Sequence, residues 1–289
     1  AGDMKTAMRV NLIANVINVI GNYALIYGKL GMPALGLAGA AISTTASRLV
    51  SFALAARVLF KGGAGIRVRL SDNYRLDHVM LKRLLVVGVP AAMEEFVLRT
   101  GQLAFVRIVA GFGTVTFAAH QVALNILSMS FMPGQAFGMA ATTLVGQGLG
   151  AKQPTFAERA AAESRKLGMY ISTAVGIVFF FFGSWLIRMY TSDVQVIGIG
   201  ATVLRIIAVS LPFQTTQFIL RGALRGAGDT RWPLYTTAIG IWGFRVLLGY
   251  VFGILLNWRL IGVWIAMACD QVARAFVIMW RFRLGTWKA

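Results

Sequence analysis

Residues Lys166–Met189 read KLGMYISTAVGIVFFFFGSWLIRM, with no charged side chain between Lys166 and Arg188. An apolar run of that length matches the roughly 20 residues a helix needs to cross a hydrocarbon core of about 30 Å. Working outward, stretches near 8–28, 36–60, 84–110, 115–144, 196–224, 232–256 and 260–282 meet the same length, so eight spans nearly fill the chain. The longest polar segment, 61–82, is too short for a soluble domain. Composition agrees: 57% of residues are hydrophobic and 13% charged, whereas about a quarter of a soluble protein is charged. The expected fold is all-α, a polytopic transmembrane helical bundle.

A net charge of +18 would suggest nucleic acid in a soluble protein, but the placement of the cations decides against it. With the N-terminus in the cytoplasm, 19 of the 28 Lys and Arg fall on cytoplasmic ends and loops and 3 on the opposite side, the bias of the positive-inside rule. The basicity therefore reports topology and contact with the lipid bilayer, and no nucleic-acid partner is expected. The single cysteine, Cys269, excludes a disulfide within the chain and a cysteine-based metal site; no metal or cofactor is expected. No HExxH or GxSxG pattern occurs, which argues against an enzyme.

Internal repetition adds organisation. Ala1-Gly2-Asp3 recurs as Ala227-Gly228-Asp229, and at the same offset of 226 residues Gly36/Gly262, Ala40/Ala266, Arg48/Arg274 and Arg57/Arg283 also match. Spans one and two then correspond to spans seven and eight. The remaining four spans call for a counterpart before residue 1, about 144 residues long, giving a parent of roughly 430 residues in two parallel six-span halves. On that scheme residues 1–61 form the last two helices of an N-terminal lobe, 62–82 a cytoplasmic linker and 83–289 a six-helix C-terminal lobe.

The segment Ala118–Ala151, AAHQVALNILSMSFMPGQAFGMAATTLVGQGLGA, resembles the eighth-helix signature of the multidrug and toxic compound extrusion (MATE) family. LRGAGDT at 224–230 resembles that family's turn before the eleventh helix, and GDMKTAMRVN at 2–11 the matching turn before the fifth. The likeness covers the whole chain as helices five to twelve of a twelve-span, two-lobed fold, and is greatest to the bacterial DinF-like branch. It implies a multi-pass protein of the bacterial plasma (inner) membrane, a monomer when full length. It implies an antiporter that exports organic cations and drugs in exchange for protons or sodium ions, the coupling ion being the one cofactor-like partner. The acid implied for the DinF-like branch would lie in a first helix that this chain lacks. The acid that other branches place further along the seventh helix falls near Arg99, a departure from their pattern.

The charged residues inside the spans carry the site expectations, because charge at that depth is costly and faces a partner or a water-filled cavity. Residues four apart share a helix face, so Glu95 is expected to pair with Arg99 and Asp270 with Arg274. Glu94 points about 100° from Glu95 and is left for an interhelical arginine or a proton. His120, Gln121 and Asn125 are read as one polar edge, and Arg245 as a further intramembrane cation. Pro90, Pro133 and Pro212 are read as points where a helix loosens and frees carbonyls. Gly134/Gly138, Gly222/Gly226 and Gly249/Gly253 have the small-residue spacing of close helix contacts. Met129, Phe131, Met132, Phe137 and Met139 form an adaptable apolar surface. Three interior acids against five interior arginines leave a net charge of about +2, which does not suit a cation site. Acids elsewhere would have to correct it, or the substrate is anionic. The interior arginines also suit a pyrophosphate headgroup, which makes a lipid-linked precursor flippase of the same superfamily the alternative.

Overall fold

The structure, a computed structural model, describes residues 4–62 and 77–288, and no strand occurs among them. The chain divides into two compact units, Ala1–Leu76 and Asp77–Ala289. The first Ala-Gly-Asp turn, at 1–3, and most of the 62–82 segment lie outside the described residues.

In the first unit, α1 (Met4–Tyr27) and α2 (Gly36–Lys61) form an antiparallel pair. Small residues bring them together: a side chain at Gly39 would run into the backbone of Leu25. A polar seam then satisfies itself in a low-dielectric interface. Asn18 Nδ2 donates to Thr44 Oγ1 at 3.3 Å, and Ser43 Oγ donates to the Asn18 carbonyl at 3.0 Å. Helix α2 ends where Gly62 turns left-handed at φ 77°.

The second unit runs α3 (His78–Ala110), α4 (Thr114–Gly150), α5 (Pro154–Arg188), α6 (Val194–Gly226), α7 (Arg231–Leu255) and α8 (Arg259–Arg283). Helix α6 is its centre, packed against α4, α5 and α8. Its Gly222 lies against the backbone of Gly138 on α4, so close that no other side chain fits. Thr142 Oγ1 staples the contact, donating to the carbonyls of Gly222 at 2.8 Å and Gly138 at 2.9 Å. The small-residue spacing at 138 and 222 thus serves helix packing. Pro90, Pro133 and Pro212 all sit inside unbroken helices. The outer faces carry lipid-compatible side chains such as Leu167, Phe181 and Trp185, each exposed.

Seven of these eight helices are long and apolar enough to cross a membrane. The eighth, α3, has the length, 33 residues, but Glu94, Glu95 and Arg99 interrupt its apolar middle. The sequence expectation of eight spans therefore resolves, among the described residues, into eight long helices, seven of them apolar over a full crossing. Boundaries also move. α3 begins at His78, ahead of the span expected from 84, because the Asp77 carboxylate caps it, accepting from Val79 N at 2.8 Å and Met80 N at 3.3 Å. Only residues 151–153 separate α4 from α5, where the sequence suggested a longer gap. Lys152 turns left-handed at φ 56° and Pro154 starts the next helix with its preset φ.

Helix α7 is the irregular one. After Ala238 it widens into a π-helix over Ile239–Val246, and again over Val251–Leu255. Such widenings are rare and concentrate at functional sites. This one carries Arg245 and sets Gly240 against Asp270 and the Arg274 stem; any side chain at 240 would displace that pair.

Candidate functional site

Two adjacent glutamates on α3 face different surroundings because one residue turns a helix by about 100°. Glu94 points into the protein and is 1% exposed. Its Oε1 accepts from Arg221 Nη1 at 3.1 Å and from Thr237 Oγ1 at 3.1 Å, and its Oε2 accepts from Arg225 Nη2 at 2.7 Å. Arg221 and Arg225 are four apart on α6, so both guanidinium groups reach one carboxylate from the same face. The sequence alone assigns these two arginines to a cytoplasmic helix end; the structure turns them inward onto Glu94. Glu95 pairs with Arg99 as its spacing predicts, at 2.9 Å, with both side chains more than half exposed.

One turn further along α7, a second carboxylate is clamped in the same way. Asp270 on α8 is fully buried; Arg274 Nη2 donates to its Oδ2 at 2.7 Å, and Arg245 Nη2 lies 2.6 Å from the same oxygen. The Asp270–Arg274 pair follows from four-residue spacing. The Arg245 contact depends on the π-helical stretch and has no signal in sequence spacing.

These elements wall a cavity of about 760 Å³ within the second unit, a size typical of small-molecule sites. Five arginines line it: Arg99, Arg221, Arg225, Arg245 and Arg274, together with one carboxylate, Glu95. Phe105, Phe131 and Met139 give it apolar surface, and Arg245 lies 5.9 Å over the Phe105 ring, within cation–π range. His120 lines it too, fully buried, its Nδ1 accepting from Trp264 Nε1 at 3.2 Å. That bond fixes the neutral imidazole with its proton on Nε2.

The polar edge expected on α4 does not assemble. Gln121 and Asn125 are exposed and lie outside the cavity wall, because the helical turn separates them from His120, whose partner comes instead from α8. Of the apolar set, Phe131 and Met139 reach the cavity, while Met129 and Met132 face outward. Sequence reading missed Arg221, Arg225, Thr237, Gln217 and Trp264 as site residues. The partners of Arg221, Arg225, Thr237 and Trp264 sit more than a hundred residues away, and the one available hint was the i, i+4 repeat of Arg221 and Arg225.

The MatE family matches residues 90–251, from Pro90 in α3 through most of α7. The chain belongs to the MatE family. The matched stretch holds Glu94, His120, the α6 arginine pair and Arg245; Asp270 and Arg274 follow it. The MatE chain is 34% identical over 297 residues to the probable multidrug resistance protein NorM of Thermotoga maritima, covering 100% of this chain and 62% of that protein. It is 27% identical over 286 residues to the uncharacterized transporter YisQ of Bacillus subtilis, covering 99% and 63%. The chain thus spans less than two thirds of the length of these relatives. A crystal structure of MATE in the straight conformation superposes with a TM-score of 0.89 at 22% identity, covering 99% of this chain and 64% of that one. A transporter of the MOP superfamily from Pyrococcus furiosus superposes with a TM-score of 0.87 at 22% identity, covering 100% and 64%; its description states that reverse polarity of the binding pocket suggests a different function.

Proposed function

We propose that this chain is the cavity-bearing part of a secondary efflux transporter of the multidrug type, one that moves amphipathic small molecules in exchange for protons or sodium ions. The observation that carries the reading is the cavity itself: about 760 Å³, set among membrane-crossing helices and lined by buried charge and aromatic surface. Intramembrane charge of this kind marks a substrate or ion path, and the NorM relative is described as a probable multidrug resistance protein. Residues 1–61 would supply the last two helices of one lobe and 83–289 the six-helix lobe that holds the cavity.

Among the acids, Glu94 and Asp270 are each held by two arginines, which occupy their oxygens. Glu95 has one exposed arginine partner and is the carboxylate of this cavity most accessible to a coupling ion. An organic cation bound here would depend on acids outside this cavity, since its own carboxylates are outnumbered by arginines. The flippase alternative draws on the same arginines, which suit a phosphate headgroup.

The test is uptake into proteoliposomes by the protein expressed from its complete reading frame, driven by an imposed pH or sodium gradient. Gradient-driven movement of a fluorescent amphiphile, abolished by Glu95→Gln with Glu94→Gln, supports the reading. Normal transport by that double variant at every pH would remove both glutamates from coupling. Movement of a lipid-linked phosphate alone would favour the flippase.

A further inference from the structure

We propose that the cavity is an anion-recognition site, so that the substrate, given the efflux reading above, is an amphiphile bearing a carboxylate, sulfonate or phosphate group. The charge count points this way first. Glu94 and Asp270 lie behind the wall and each binds two arginines, Glu95 binds one, and the five cavity arginines keep a surplus of two positive charges.

The hydrogen-bonding inventory points the same way independently. Buried polar atoms in proteins are almost always partnered. Among the cavity-lining residues, the buried side-chain atoms left without a partner or an ion pair are His120 Nε2, Gln217 Nε2, Arg225 Nε and Arg245 Nε. Every one of them is a donor, His120 Nε2 because Trp264 occupies Nδ1. Gln217 is 2% exposed, so water does not compensate it cheaply. Unmet donors on residues of the cavity lining, together with the surplus positive charge, are complementary to an oxyanion and unfavourable to an ammonium group. Phe105, Phe131 and Met139 supply the apolar surface for the rest of the molecule.

Dansylglycine and dansylcholine carry one fluorophore and opposite charges, and serve as the probes, with the protein from its complete reading frame in phosphatidylcholine vesicles. Saturable tryptophan-to-dansyl energy transfer is expected with dansylglycine and not with dansylcholine. Gln217→Met keeps the shape and removes an unpartnered donor, so the fold should hold while dansylglycine affinity falls roughly ten- to a hundredfold, the scale of one hydrogen bond to a charged group. Adding phosphatidylglycerol to the vesicles distinguishes the source: loss of dansylglycine binding identifies an anionic lipid headgroup as the occupant, and unchanged binding a soluble anion, the site being anion-selective in both cases. Binding of dansylcholine alone, or an unchanged affinity in Gln217→Met, overturns the inference while leaving efflux intact. Failure of any amphiphile to move under a pH or sodium gradient would instead overturn the efflux reading.

Discussion

Asp270–Arg274 and Glu95–Arg99 are the same sequence feature, an acid four residues before an arginine, yet the structure assigns them opposite energetic weights. Asp270 is fully buried, Arg274 is 6% exposed, and Arg245 is a second cation on the same oxygen. Asp270→Asn leaves two buried guanidinium groups without their counter-ion, and breaking a buried pair in this way costs about 3–5 kcal/mol. At about 1.4 kcal/mol per tenfold, that is a shift of roughly a hundred- to a few-thousandfold in the folding equilibrium. Glu95 and Arg99 are 51% and 69% exposed, so Glu95→Gln should cost about 0–1 kcal/mol. Reversible unfolding in mixed detergent micelles measures both. Combining Asp270→Asn with Arg274→Gln should return part of the loss, since one stranded charge is then removed, and the double-mutant cycle reports that coupling. Equal costs for the two single variants, within about 1 kcal/mol, would refute the assignment of burial as the deciding variable.

Three further outcomes follow from named contacts. Thr142→Val removes the hydroxyl that donates to Gly138 and Gly222 and should cost about 0.6–1.7 kcal/mol in the same unfolding assay, the range for hydrogen bonds between membrane helices. Gly222→Val forces a branched side chain into the Gly138 backbone; the yield of folded, monodisperse protein should collapse, and normal yield would disprove the close approach. Trp264→Phe strands the buried His120 Nδ1, at about 1–3 kcal/mol, and nitrogen chemical shifts of the imidazole should show the loss of a single fixed tautomer.

Helix number, their approximate ends and the membrane environment were legible because hydrophobic length is a property of contiguous sequence. The pairs Glu95–Arg99 and Asp270–Arg274 were legible because a helix fixes which residues share a face. The partners of Glu94 were not: Arg221 and Arg225 reach it across 127 and 131 residues, and the register between α3 and α6 is set by contacts such as Gly138 against Gly222, not by spacing along either helix. Apparent depth misled as well, since a long arginine at a helix end can fold inward as readily as it snorkels outward. Arg245 was recognised as intramembrane, but its place on Asp270 depends on the widened turns of α7, which composition does not announce. His120 is legible as a polar intramembrane residue, but its partner, Trp264, lies 144 residues away on another helix.

The proposed efflux function requires that the cavity lined by α3, α4, α6, α7 and α8 receive the substrate. Gln135 is exposed and lines it, and the described chain carries one cysteine, Cys269, outside that wall. Gln135→Cys in a Cys269→Ser background, labelled with a charged methanethiosulfonate in proteoliposomes, tests the claim directly. The thiol is expected to react from water, a transported amphiphile to slow the reaction in proportion to its occupancy, and labelling to stop transport. Labelling that proceeds at the same rate with saturating substrate, while transport continues undiminished, would contradict it.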